Sequence, residues 1–237
     1  MKKLISIFLS IMIIGSVLTM GVSADATTNT QKYRGKISNA INSCYDCGEY
    51  YIDRTDVGGF LYDFDGNGVK ELVLTYFIKV NISGYSVPKL VCSVYTIKNG
   101  KTKTILKNKS LYVDAGGPFA AVGVAKKNGK KYLFCYDETG ETGGGPSIRR
   151  TGEIVLYKIK GTKATKSAKA KFKIKSDTTK SPSKIKSAKI KKNGKKMSYK
   201  NFIKWQKTFK LKYAKRYKNH YWKYYYSMKI KNINNII

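Results

Sequence analysis

Apolar residues recur every three to four positions at Tyr33, Ile37, Ile41 and Cys44, which predicts one amphipathic helix early in the chain. From Gly58 onward the period changes to two. Runs rich in β-branched and aromatic residues at 59–62, 71–79, 89–97, 101–106, 119–126, 130–136 and 147–159 read as strands, with 171–175 a further candidate. Lys98-Asn99-Gly100-Lys101 and Lys127-Asn128-Gly129-Lys130 are hairpin turns of the Asn-Gly kind, which need φ > 0 at both central residues. Lys160-Gly161-Thr162 reads as another turn, and Glu141 to Pro146 as a Gly-rich loop that interrupts the series. Sequential hairpins predict an antiparallel meander. The expected fold is therefore mainly β (α+β), with an N-terminal helix and a basic C-terminal helix.

That second helix is read from the far end. A third turn, Lys192-Asn193-Gly194-Lys195, is followed by Ser198, a good N-cap. On a helical wheel Phe202, Trp205, Phe209, Tyr213 and Tyr217 fall within about 120° of one another. Lysines 204, 207, 210, 215 and 218 take the remaining arc, and Arg216 interrupts the apolar stripe. Either the stripe packs back on the sheet and the lysines form its wet face, or it contacts a partner. Between the two parts, 161–192 is rich in Lys, Ser, Thr and Ala, and reads as a linker or a solvated β-ribbon. The implied organisation is 1–24, 25–160 (a β domain), 161–192 and 193–237.

Charge sharpens this division. The 237 residues carry a formal net charge of +33. Residues 25–153 hold 18 Lys/Arg against 13 Asp/Glu, whereas 154–237 hold 27 against one, Asp177. A biased codon usage inflates Lys, Asn, Ile and Tyr together, but it does not remove acids over such a stretch. A field of this sign gathers anions. Because almost all of the charge is lysine, a point charge rather than a bidentate reader of bases, sequence-specific nucleic-acid recognition is not expected. The expected partner is an anionic cell-envelope polymer or lipid surface, with Lys195, Lys196, Lys200, Lys204, Lys207, Lys210 and Lys215 as its contacts. Trp205, Tyr213, Tyr217, Trp222 and Tyr224 to Tyr226 lie among them.

The address comes from Met1 to Ala24. Lys2-Lys3, an apolar run from Leu4 to Met20 and the small residues Val22-Ser23-Ala24 have the anatomy of a secretory signal peptide cleaved after Ala24. The apolar run, interrupted by Ser, Gly and Thr, is short for a bilayer core of ~30 Å. The chain is thus expected to be secreted or held at the cell surface. Cys44 and Cys47 form a C-x-x-C with neither a thioredoxin-like context nor a second pair of zinc ligands, which leaves a structural disulfide between them, the favoured reading, or two free thiols. Cys92 and Cys135 lie inside strand patterns, as cross-strand partners or buried thiols.

The chemistry concentrates in Asp63-Phe64-Asp65-Gly66-Asn67-Gly68-Val69-Lys70-Glu71. Oxygen-bearing side chains at 63, 65 and 67, the Val69 carbonyl and the Glu71 carboxylate suit Ca²⁺, which takes six to eight oxygens at ~2.3–2.6 Å. The twelfth position is Leu74 where an EF-hand needs Glu, and both flanks read as strands. The other reading of these residues is a tight hairpin turn that binds nothing. The run YDFDGNGVKELVL resembles the D-x-D-G-N-G-x-x-E-L loops of VCBS/FG-GAP-type repeats, and of secreted Gram-positive β-rich proteins with one such loop. That resemblance implies metal ligation by Asp63, Asp65, Asn67, Val69 and Glu71. The ending IKKNGKKMSYKNF resembles the C-terminal ends of the same single-loop proteins.

Signs of catalysis are few. His220 is the sole histidine, and no nucleophile or phosphate-loop motif accompanies it. No small-molecule cofactor is implied. Asp137, Glu138, Glu141 and Glu153 surround the Gly-rich loop and raise one alternative, an exported hydrolase acting on a polyanion or polysaccharide through paired carboxylates. Against it stands a non-catalytic binding or surface protein with a calcium-stabilised β domain and a cationic tail.

Overall fold

In the computed structural model the described residues are 31–45, 57–82, 84–111, 119–143, 147–177, 179 and 184–212. Helix α1, Arg34–Tyr45, turns Ile37, Ala40 and Cys44 inward, with Tyr33 just ahead of it. Four strands follow: β1 (Gly58–Tyr62), β2 (Glu71–Ile82), β3 (Tyr85–Lys98) and β4 (Lys101–Ser110), paired in that order. β5 (Phe119–Lys127), β6 (Lys130–Gly143), β7 (Ser147–Lys160), β8 (Lys163–Asp177), β9 (Lys184–Lys192) and β10 (Lys195–Met197) form a second antiparallel meander. After helix α2 (Tyr199–Lys207), β11 (Lys210–Lys212) pairs antiparallel with the far edge strand β5 and completes a seven-stranded sheet. The fold is mainly β, with one helix near each end.

Strand alternation explains how these pieces stack. Along β2, Leu72, Leu74 and Tyr76 face α1, while Val73 faces the other way. Val73, Cys92 and Val94 of the smaller sheet share a core with Val122, Val124, Leu133, Cys135, Val155, Tyr157 and Ile159 of the larger one. The opposite face of the larger sheet buries Phe134, Ile154, Leu156, Ala170, Phe172, Ile174 and Ile190 against Phe202 and Trp205 of α2. The layers therefore run helix, sheet, sheet, helix. Burying a side chain the size of Phe172 is worth ~1.5–3 kcal/mol. Each Asn-Gly turn has both residues left-handed, as at Asn99 (φ 51°) and Gly100 (φ 69°), which matches the strand twist.

Several expectations need correction. The described residues of 161–192 form neither a linker nor a ribbon standing apart: β8 and β9 lie inside the larger sheet, with Ala170, Phe172, Ile174 and Ile190 buried. Period-two placement lets a lysine-rich strand offer one apolar face. Glu141 to Gly143 belong to β6 rather than to a loop, because β7 supplies partners up to Gly143 opposite Ser147. The C-terminal helix is shorter than the wheel suggests. Ser198 caps its start, accepting from the Asn201 N–H at 3.3 Å. Thr208 closes its end, where its Oγ1 donates to the Trp205 carbonyl at 2.7 Å. Phe209 then packs edge-on to Trp205 and Tyr132, and the chain gains ladder bonds with β5 by leaving the helix. Lys210 is thus on a strand, not on a helical face. Tyr213, Lys215 and Tyr217 lie outside the described residues, as do residues 1–24, Cys47 and His220.

Candidate metal centre and its neighbouring charges

Loop 63–71 joins β1 to β2, and its own side chains organise it. The Asp63 carboxylate accepts from the N–H groups of Gly66 (2.7 Å) and Gly68 (3.1 Å). Asp65 accepts from the Asn67 N–H at 3.3 Å, and Asn67 from the Val69 N–H at 2.7 Å. Gly66 (φ 78°) and Gly68 (φ 84°) take the left-handed geometry that this curl needs. One carboxylate oxygen from each of Asp63, Asp65 and Glu71 lies within 4.8 Å of the others. Asn67 and Val69 sit in the same loop, where the Val69 N–H donates to the Asn67 side chain.

Glu71 is the unusual member. It is wholly buried at the start of β2, where its carboxylate accepts from the Phe64 N–H (3.0 Å) and the Thr96 hydroxyl (3.3 Å). Burial pushes its carboxyl up to about 7; the Phe64 N–H opposes this and the neighbouring Asp65 charge adds to it. A buried carboxylate beside two more acids is costly unless a cation shares it. This donor set, all hard oxygen on a tight loop, fits Ca²⁺: Asp63, Asp65 and Glu71 would hold it, and the ion would supply charge neutralisation and cross-linking.

Three partners outside the loop are invisible to local reading. The Gly161 N–H, in the β7–β8 turn, donates to Asp65 at 2.7 Å. Lys131, at the start of β6, donates to the Asp63 carbonyl at 2.8 Å and stands over the Tyr62 ring. The Tyr33 hydroxyl, next to α1, donates to the Lys70 carbonyl at 2.9 Å. The loop therefore touches both sheets and the end of a helix. No sequence signal marks these contacts, which join positions up to 96 residues apart.

A second charged cluster links the sheets elsewhere. Asp137 and Glu153 are direct partners on β6 and β7, and the Glu153 N–H donates to Asp137 at 3.0 Å. Lys109 reaches from β4 to Glu153 at 2.9 Å and to Asp137 at 3.8 Å, and Lys169 meets Glu153 at 2.7 Å. Burial raises the Asp137 carboxyl although Lys109 opposes it. Burial would also raise Glu153, but hydrogen bonds from Lys169 and Lys109 outweigh it and hold that carboxyl below its usual value. Glu138 accepts from the Tyr136 hydroxyl and pairs with Arg150 at 3.9 Å.

The lysines assigned to polyanions divide. Lys195 and Lys196 are adjacent on β10 and so point to opposite faces. Lys200, Lys204 and Lys207 are exposed on α2, whose Phe202 and Trp205 pack on the sheet. Lys127 and Lys192 stand over the rings of Phe209 and Trp205. Cys44 is buried against the Phe77 backbone, while its expected disulfide partner, Cys47, is outside the described residues. Cys92 and Cys135 are buried thiols facing one another from the two sheets, and the Cys135 hydrogen bond and burial push the Cys92 thiol up.

Comparison of the chain with protein-family models, with curated proteins and with solved structures gives no match. Among the described residues no helix is long and apolar enough to cross a membrane.

Proposed function

We propose that this chain is an exported, non-catalytic binding protein. In this reading Ca²⁺ on loop 63–71 locks its β-sandwich, and its lysine-rich second half holds anionic polymers of the cell envelope. Export rests on the leader-like residues 1–24, and calcium on the buried acidic cluster and the VCBS/FG-GAP-like loop. The observation that carries the binding role is the fate of the acids in the larger sheet. Asp137, Glu138, Glu153 and Asp177 all engage cations of the protein itself, Lys109 of β4 for Asp137 and Glu153, Lys169 also for Glu153, Arg150 for Glu138 and Lys186 for Asp177. The exposed lysines of β8 to β10 and α2 therefore keep their field for an outside anion.

The same pairing weakens the hydrolase reading. Asp137 and Glu153 are clamped by Lys109 and Lys169, which leaves neither poised to donate or accept a substrate proton. The test is binding of the full chain from Asp25 to an immobilised anionic wall polymer between about 0.05 and 0.5 M salt, where counterion release makes affinity fall steeply. No binding at low salt, or binding insensitive to salt, contradicts the proposal. So does bond cleavage in a soluble polysaccharide.

A further inference from the structure

Behind β7, the larger sheet carries a lysine grid on the face opposite α2, and we infer that this grid is the surface that holds the polymer, a flexible polyol-phosphate chain. This rests on the proposed polyanion-binding role and locates it. Along β8, Ala170, Phe172, Ile174 and Ser176 are buried, and Lys171, Lys173 and Lys175 alternate with them, exposed. Lys171 sits directly opposite Lys191 of β9, which sits opposite Lys196 of β10; Lys173 sits opposite Lys189. All six are exposed. Neighbours across strands are then ~5 Å apart and neighbours along β8 ~7 Å apart.

Two observations argue that this array serves a ligand. Like charges directly opposite on adjacent strands are destabilising, so a face needed only for solubility gains nothing from lysine facing lysine. Of the acids on this face whose side chains are described, Asp137 and Glu153 are taken by Lys109 and Lys169 and Asp177 by Lys186, and among the described residues no ion pair takes up any of the six. The occupant follows from chemistry. Cationic and without a ring among the six positions, the grid offers point charges and no stacking platform, which suits a polyol-phosphate chain better than single-stranded nucleic acid. Lys200, Lys204 and Lys207 lie on α2, at the other face, and are not part of it.

The test uses the full chain with poly(glycerol phosphate) and an oligothymidylate of equal charge. One triple variant is Lys171→Thr, Lys173→Thr, Lys189→Thr, which keeps strand propensity; the other is Lys200→Gln, Lys204→Gln, Lys207→Gln. The grid variant is expected to bind poly(glycerol phosphate) at least tenfold more weakly, with the slope of log K against log salt reduced by about 2. The helix variant should stay within about threefold of the parent. Lysine acetylation of the unaltered chain gives a readout independent of folding: polymer should protect the six grid lysines and leave 200, 204 and 207 reactive. An equal loss in the helix variant, or protection confined to α2, overturns the placement while leaving a polyanion binder. Tenfold tighter binding of the oligothymidylate overturns the ligand class. Absence of any binding by the parent overturns both.

Discussion

The acidic loop 63–71 and the lysine-rich strands β8 to β10 solve opposite electrostatic problems in one sandwich. In the loop, three carboxylates converge and one of them, Glu71, is wholly buried. Backbone N–H groups and the Thr96 hydroxyl hold them, and in the proposed reading a cation takes up the remaining charge. Along β8 the charges of Lys171, Lys173 and Lys175 stay on the solvent side of every second residue, while Ala170, Phe172 and Ile174, with Ile190 of β9, supply the core. Concentrated charge of one sign is tolerated inside only when it is coordinated, and outside whenever alternation keeps it wet. The loop reads as a fastener, the strands as a surface.

The comparison breaks most visibly if β8 is not a core strand. Phe172 is buried against Phe202 and stacked with Tyr136. Phe172→Ala should therefore cost about 3–5 kcal/mol, read by denaturant melting. A solvated ribbon would lose almost nothing. For the same reason a chain ending at Lys160 should fail to fold, since it lacks β8 to β10 and α2.

A next-largest effect is expected at Lys109, the clamp between sheets. Lys109→Met leaves Asp137 and Glu153 half-satisfied, with Lys169 alone on Glu153, and should cost about 2–3 kcal/mol at neutral pH. The pH dependence has a definite sign. Asp137 is already raised by burial, and losing Lys109 raises it further, so the folded state takes up a proton more readily than the unfolded one. Stability of the variant therefore falls as pH rises through the carboxylate range, and its deficit against the parent should shrink toward about pH 3–4. A deficit that grows on acidification would contradict this assignment.

The smallest effect sharpens the α2 boundary. Ser198→Ala removes the cap on the Asn201 N–H and should cost about 1 kcal/mol, with the β10–α2 junction exchanging amide hydrogens faster.

Local signals made much of this legible. The helix from Tyr33, the strand periods, the Asn-Gly turns and the Ser198 cap each depend on a few neighbouring residues, and so does the curl of loop 63–71. The Lys171-Phe172-Lys173-Ile174-Lys175 alternation was equally visible, yet composition obscured it: a lysine-rich tract looks solvated until one face is seen to be apolar. What the chain does not show locally is who sits opposite. Gly161 and Lys131 on the loop, Lys109 on Glu153, and β5 as the partner that ends α2 early are all set by sheet packing. Such contacts carry no spacing rule, because the chain between them can be any length.

Melting of the parent and of Glu71→Gln, each with millimolar Ca²⁺ and with chelator, bears most directly on the fastener. Gln keeps an acceptor for the Phe64 N–H but removes the buried charge. Calcium at about a hundredfold over Kd should add about 2.7 kcal/mol to the parent, a rise of roughly 5–10 °C. Glu71→Gln should lose that gain and, in chelator, melt no lower than the parent. Identical melting of the parent in both buffers would contradict the account.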